Sequence, residues 1–397
     1  MAEGHALSSL SSLCYLLAVR LPLMKPFFAA LLAAICFQTD SRSQDVNRAA
    51  LISAARAGGD YLVRMQKPDG SFHYYYDAAE DRFESRRYNI VRHTGATASL
   101  LDLYAATHEA RYMEAARSAI KFLKTRFRKA RAGKADYVLD FDGKAKLGAN
   151  GLALVALTKQ IELDPKSADR GSAAQLANLI LAMQRKDGSF QMRYRLGSTD
   201  EEGNETLYYP GEAMLGLVRL FRLNGNRRLL EAARRAADFL IETQRQAGTL
   251  PADAWLMQAL EALYDIGHER KYADHLMALA EAMIAAQYTG SGPSNYVGGF
   301  GPGPPRGTPA ASRAEGLLSA YRVGRSIGST HASAIAVSLK ACARFQLDQQ
   351  LRADDASLPN PQRAGGGFRE SLTSLRVRID FVQHNISSLL GIAETLY

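Results

Sequence analysis

Cysteine and tryptophan are scarce: three cysteines and one tryptophan occur among 397 residues. Cys14 and Cys36 fall in an apolar N-terminal stretch, which leaves Cys342 as the one thiol of the remaining chain. That excludes a disulfide framework and a thiolate-held metal cluster, and Cys342 reads as a small helix-packing residue. No G-x-G-x-x-G follows a strand pattern and no G-K-[ST] phosphate loop is present, so nucleotide chemistry has no support. Neither charge sign is concentrated. The net charge of +9 is spread through amphipathic segments, without zinc-finger spacing, an RRM signature or a basic arm. Nucleic-acid binding is therefore not expected, whereas attraction to an anionic polymer such as an acidic polysaccharide is compatible with the charge. No cofactor and no metal are expected. Apolar residues at 47% and charged residues at 22% describe a globular chain.

The N-terminal stretch Met24–Phe37, MKPFFAALLAAICF, has a basic start and an apolar run, followed by polar QTDSRSQ. It is expected to be a secretory signal with cleavage after Ser43, giving a leader and upstream extension over 1–43 and one domain over 44–397, periplasmic or secreted. A short N-terminal anchor is the alternative. Beyond it no segment is long and apolar enough to span a bilayer.

What is abundant is helical periodicity, in two alternating kinds. Helices charged on one side are expected at Asn47–Met65, Ala110–Arg126, Ala168–Met183, Arg227–Thr243, Arg270–Ala286 and Thr330–Phe345. Shorter helices, smaller in their side chains and less charged, are expected at Ile90–Ala105, Gly148–Gln160, Gly211–Leu223, Ala254–Tyr264, Ala314–Val323 and Phe381–Leu396. The pairs repeat: RYMEAARSAIKFLKT (111–125) matches RLLEAARRAADFLIET (228–243), and MQKPDGSF (65–72) returns as MQRKDGSF (183–190). TQRQAGTL (243–250) is a worn copy, and AQYTG (286–290) and FQLDQQ (345–350) keep the glutamine at the end of the charged helix. A helical hairpin cannot cover its own apolar face, whereas stacked hairpins can, and small residues on the inner helices let the stack curve. Six hairpins closing on themselves give an all-α (α/α)6 toroid with inner and outer rings. An open solenoid is the competing picture, but the first and last elements lack the polar caps that open stacks need.

The D-G-S-F tetrads combine a turn-forming Asp-Gly with a phenylalanine that plugs the seam between hairpins. In this setting Q-x-x-D-G-S-F after a helix resembles the QW-type repeats of terpenoid cyclases and protein prenyltransferases. The overall organisation is similar to the six-hairpin glycosidases and the N-acylglucosamine 2-epimerase-like toroids. The DXDD of squalene-cyclase-like enzymes is absent, as is the Asp/Cys/His zinc set of prenyltransferases, so those two chemistries are not implied. What the resemblance implies is a carbohydrate-directed toroid.

If the inner helices run parallel, their N-terminal ends share one mouth, and each entrance carries polar or aromatic residues: RRYNIVRH (86–93), AKLGAN (145–150), YYPGE (208–212), PADAW (251–255), AASRAE (310–315) and VRIDFVQHN (377–385). Glu212, between Tyr208 and Tyr209 and the apolar AMLGL, is the candidate general acid, since an apolar setting raises a carboxyl pKa. A plain first-turn acidic residue is the alternative. Asp253 and Asp380 are candidate bases, although Asp253 also reads as an N-cap. His384 lies one turn after Asp380 on the same face, a possible proton relay. His93 completes the catalytic candidates. Arg92 needs an anion, with Glu212, Glu315 or a substrate carboxylate as candidates. Arg313, Glu315, Asn89, Asn150, Tyr208, Tyr209 and Trp255 are candidate substrate contacts, Trp255 as a sugar platform or a core residue. The glycine-rich GSGPSNYVGGFGPGPPRGTPA (290–310) and PQRAGGGFRES (361–371) are candidate flaps.

Three functions follow. The leading expectation is hydrolysis of an envelope or extracellular glycan by an inverting acid–base pair, Glu212 with Asp253 or Asp380. The second is proton abstraction from a uronate polymer by an epimerase or lyase, with Tyr or His as base. The third is a noncatalytic glycan-binding toroid.

Overall fold

A computed structural model describes residues 46–130, 135–194, 207–290 and 292–397; the leader expected over 1–43 lies outside them. Twelve long helices follow in order: α1 (Arg48–Met65), α2 (Ile90–Thr107), α3 (Ala110–Thr125), α4 (Leu147–Leu163), α5 (Arg170–Met183), α6 (Tyr209–Asn224), α7 (Arg227–Ala247), α8 (Ala254–Gly267), α9 (Arg270–Ala285), α10 (Gly307–Ser326), α11 (Ala332–Asp348) and α12 (Ile379–Leu396). Side-chain size sets their place. α4, built from LGANGLALVAL, buries fourteen of its 17 residues and is sheltered on every side. α7 carries arginines on one face, buries seven of its 21 residues and lies outside.

The even-numbered helices form the inner ring: each packs on the next, and α12 packs back on α2. Closure is also made in the outer layer, where α1 packs against both α12 and α11. A small antiparallel sheet joins the chain's beginning to its end. Its middle strand β1 (Tyr75–Asp77) lies between β2 (Arg82–Phe83) and β7 (Arg376–Arg378), with Tyr75 opposite Arg378. Two further antiparallel pairs join β3 (Phe127–Lys129) to β4 (Asp136–Val138) and β5 (Ala145–Lys146) to β6 (Arg193–Tyr194). The fold is thus the closed (α/α)6 toroid rather than an open solenoid.

The repeated glutamines join one outer helix to the next. Gln66 donates to Gly70 O and to Ala115 O on α3, and Gln184 repeats this with Gly188 O and Ala232 O on α7. Gln287 bonds Gly298 O and Ser338 O on α11. Gln350 bonds Gly366 O and Ala54 O on α1, which closes the ring. Each glutamine bridges across to a buried or nearly buried phenylalanine: Phe72, Phe190, Phe300 and Phe368. In the worn copy, Gln244 instead pairs with His275 on α9. The 361–371 segment is therefore a seam rather than a flap: Gly366 has φ +85°, and a Cβ there would stand 2.0 Å from Ala57 O. The 290–310 loop holds the Gln287 seam, so it too is tied to the ring.

One boundary differs by two turns. α10 begins at Gly307, not near Ala314, because Thr308 and Pro309 fit a first turn even though Gly-Thr-Pro reads as loop; proline costs little where the N–H has no helical acceptor. The shift places Arg313 in the second helical turn. Among the described residues, no helix is long and apolar enough to cross a membrane.

Candidate active site

The hollow of the ring is divided into two chambers. The front one, about 470 Å³, is lined by residues from the N-terminal halves of all six inner helices. The rear one, about 330 Å³, is lined by residues from their middle and C-terminal parts. Trp255 and Gln383 line both, so they form part of the partition between them. Five of the six entrances contribute residues to this one mouth, and α4 contributes Leu152 just past its own entrance.

Glu212 sits in the first turn of α6 but makes no capping bond. Its side chain lines the front chamber, is 4% exposed, and its Oε2 has no hydrogen-bond partner. Gly148 on α4 makes room for it: a Cβ there would lie 2.2 Å from that oxygen. Burial, with a smaller push from Asp253, raises the Glu212 carboxyl to about 8, so it is mostly protonated at neutral pH. Asp253 itself is the N-cap of α8, accepting 3.0 Å bonds from Trp255 N and Leu256 N. Burial raises it to about 7 against the pull of those two amides. It stands behind the chamber lining, within electrostatic reach of Glu212 and Tyr208.

Asp380, in the first turn of α12, does not bond His384. Its oxygens accept from Arg378 at 2.5 and 2.9 Å and from Arg92 at 3.1 Å. Burial opposes its ionisation, but the two guanidiniums outweigh that and hold its pKa below the usual range. Arg92 also donates to Tyr74 Oη at 2.9 Å. The anion that Arg92 needs is thus Asp380, not Glu212 or Glu315. His384 pairs instead with Glu315 on α10, Nδ1 to Oε2 at 2.9 Å. Burial would lower the imidazole, but Glu315 outweighs it and leaves His384 above its usual value. Burial raises Glu315 despite His384. His384 lines the front chamber and Glu315 the rear one, so the pair spans the partition. The Trp255 ring stands 6.2 Å from the imidazole.

Tyr208, Tyr209, Asn89 and Arg313 also line the front chamber, Asn89 while capping α2 through Arg92 N. Besides Asp253, two further candidates stand apart. His93 is fully buried between Tyr88 Oη (2.8 Å) and Ala119 O (2.9 Å), and burial lowers it to about 4. One residue beyond Arg92, it is turned about 100° round the helix, toward α3 and away from the hollow. Asn150 accepts from Val138 N (2.9 Å) and donates to Lys146 O (2.6 Å), tying β4 to α4. Residues missed from sequence are Arg378, Gln383 and Thr308, which line the front chamber. Arg378 lay within the quoted entrance VRIDFVQHN and was the visible signal. Among the described residues no group of three or more His, Cys, Asp or Glu side chains is placed to hold a metal ion.

No protein-family model matches the chain, and no curated protein matches it in sequence. Solved structures do match in shape. A GH76 alpha-mannanase from Bacteroides thetaiotaomicron superposes with a TM-score of 0.63 at 12% identity, over 88% of this chain and 96% of the other. Cellobiose 2-epimerase from Bacillus thermoamylovorans gives 0.63 at 13%, over 84% and 95%. A D-mannose isomerase gives 0.61 at 13%, over 89% and 99%. At such identities the likeness is one of architecture: this chain has the (α/α)6-toroid fold that these mannanase, epimerase and isomerase structures share.

Proposed function

We propose that this protein is an enzyme that moves a proton within a small sugar, an epimerase or aldose–ketose isomerase working at the front chamber. The observation that carries the reading is the pairing of a carboxylate-backed imidazole, His384 with Glu315, and a protonated, unpartnered carboxyl, Glu212, in one cavity. Glu315 holds Nδ1, which leaves Nε2 as the proton acceptor and strengthens it as a base. In an open-chain sugar, His384 takes the proton from the carbon beside the carbonyl, and the electron pair moves onto the carbonyl oxygen. Glu212 donates to that oxygen, so the intermediate is an enediol rather than a naked enolate. Rotation about the neighbouring carbon–carbon bond presents the other face of that carbon to His384; return of the proton there, with the O1 proton passing back to Glu212, gives the epimer. Return of the proton to the former carbonyl carbon, with the proton of the neighbouring hydroxyl passing to Glu212, gives the ketose. Trp255 and Tyr208 supply apolar faces for the sugar ring. The chamber volume suits a small ligand.

The test is solvent exchange. Purified protein is incubated in D2O with a panel of reducing sugars, and carbon-bound deuterium is followed by NMR. Incorporation with at least one sugar, reduced about 100-fold or more in His384→Asn, is the expected result. The absence of incorporation across the panel overturns the reading.

Hydrolysis is the second reading, favoured by the opposite displacements of Glu212 (up) and Asp380 (down). Asp380 is a poor base, however, because both its oxygens are held by guanidiniums. A Salegentibacter alpha-1,6-mannanase is inactive when two neighbouring aspartates are replaced. The only adjacent aspartates of this chain, Asp354 and Asp355, lie in a loop that lines neither chamber. Release of reducing ends from alpha-mannooligosaccharides without deuterium uptake would select hydrolysis.

A further inference from the structure

Arg313 is the cation of the front chamber that the protein leaves unmatched. It is half-buried on α10 and lines the cavity. Its guanidinium lies 4.9 Å from the Phe300 ring centroid, and it makes no hydrogen bond or ion pair with any described residue. The other two arginines of the chamber, Arg92 and Arg378, share Asp380. Glu212 does not supply the missing charge, because it is mostly protonated at neutral pH, and Asp253 is spent on capping α8. Tyr208 is the polar neighbour within electrostatic reach, and the Thr308 hydroxyl, also on the chamber wall, has no partner. Asp380 is already shared by two arginines, so Arg313 stands in a partly desolvated space as a positive charge that this carboxylate does not match. Five N–H donors in a rigid fork remain unpaired there, a costly arrangement unless a ligand completes it.

We propose that the sugar acted on at this site carries an anionic group, a carboxylate or a phosphate, that docks on Arg313. The carboxylate and phosphate share the chemistry that a guanidinium recognises, two coplanar oxygens accepting parallel N–H bonds. This inference rests on the front chamber being the sugar site, and it names the substrate class that the proton-transfer reading leaves open. The stacking of Arg313 on Phe300 fixes the fork in place before the ligand arrives, so the anion selects and orients the sugar while His384 and Glu212 face its reacting end. In this role Arg313 is a specificity-determining residue.

The experiment is binding calorimetry, read without turnover, on charge-matched probes. D-glucuronate, D-mannuronate, D-glucose 6-phosphate, D-mannose 6-phosphate and D-fructose 6-phosphate are each compared with the neutral parent hexose. At least one anionic probe is expected to bind about 10-fold or more tighter than its parent. That gap should narrow between about 50 and about 500 mM KCl and collapse in Arg313→Met, with partial recovery in Arg313→Lys. Which probe shows the gap distinguishes a uronate from a sugar phosphate. Circular dichroism confirms that the variants fold, and the salt dependence of the wild-type gap serves as the check if Arg313→Met does not. Equal binding of anion and parent, a gap that survives Arg313→Met, or no binding by any probe overturns the inference. His384→Asn should leave the gap unchanged, so loss of deuterium exchange with the gap intact would refute proton transfer and leave the anion site standing.

Discussion

Glu212→Gln should make the stability of this protein less dependent on pH, so that the variant gains on the wild type as pH rises through neutrality, while removing the proposed acid. The carboxyl has a folded-state pKa of about 8 against an ordinary value of 4.5, caused first by burial and then by Asp253. Between those values the folded chain keeps a proton that the unfolded chain has released. Stability then falls as pH rises, since its pH slope follows the protons bound in the unfolded state minus those bound in the folded state. That displacement corresponds to about 3 kcal/mol by pH 7 and about 4 kcal/mol by pH 8, approaching about 5 kcal/mol only above it. Water penetration and relaxation around a buried charge reduce such figures, and about 2 kcal/mol between pH 5 and 8.5 is the smallest change expected. Glutamine has nearly the same volume and no ionisation. Its amide takes over a position whose Oε2 lacks a partner, at a cost of about 1–3 kcal/mol that does not vary with pH. The two stability curves should therefore diverge, with the variant equal or weaker near pH 5 and gaining steadily toward pH 8.5. Asp253 titrates in both proteins and to first order cancels. Urea unfolding at half-unit pH intervals measures the difference. Parallel curves would show that Glu212 ionises normally, and the acid assigned to the site would be lost with that result.

Three further outcomes follow from other parts of the structure. Asp380→Asn removes the carboxylate that Arg92 and Arg378 share and should cost about 3 kcal/mol at neutral pH, less the share that solvent screens. Because the Asp380 pKa is depressed, its contribution is present above the ordinary carboxylate range and fades as pH falls, so urea curves of wild type and variant should converge in acid. Glu315→Gln removes the charge that raises His384, and the imidazole titration followed by NMR should move to lower pH; an unmoved midpoint would refute the dyad. Gly366→Ala forces a Cβ into the Ala57 carbonyl at a left-handed backbone position and should cost about 3 kcal/mol or more in thermal unfolding. Gly225→Ala, left-handed but facing open space, should cost about 1 kcal/mol.

The architecture was legible because it is written in periodicity and repetition. The contrast between LGANGLALVAL and RRLLEAARRAADF separates the rings before any coordinate is known, and the recurring glutamine marks the seams that join outer helices. The converging entrances followed from parallel inner helices, and they delivered Glu212, Tyr208, Trp255, Arg313, Asp380 and His384 to one chamber. Partners were harder to read. Spacing put Asp380 and His384 on one helical face, but a carboxylate pairs with the charge that reaches it across the ring, and Arg92 from α2 reaches Asp380 while Glu315 from α10 reaches His384. His93 shows the same limit at a scale of one residue: next to Arg92 in sequence, it faces α3 instead of the hollow. The start of α10 was hidden by Gly-Thr-Pro, whose loop chemistry also suits a first turn.

Both chambers contain charged side chains, and the balance of those charges differs between them in a way that favours the front one as the proposed ligand site. In the rear, every basic group has an acid at hand: Lys159 with Asp102, Arg219 with Glu162, Arg222 with Asp265 at 3.1 Å, and Arg322 with Glu261. Such a ring is satisfied as it stands, and a charged ligand entering it would have to break pairs before making new ones. In front, the same number of inner helices contributes Glu212, a carboxyl raised by burial, His384, braced from behind by Glu315, and Arg313, which has no counterion among the described residues. These are groups whose unmet hydrogen bonds and charge cost folding free energy, and a chain that retains them must recover that cost when something binds. The partition makes the asymmetry useful. Glu315 reaches His384 from the rear side, so in the proposed reaction the imidazole is braced from the rear chamber while its other nitrogen faces the front one.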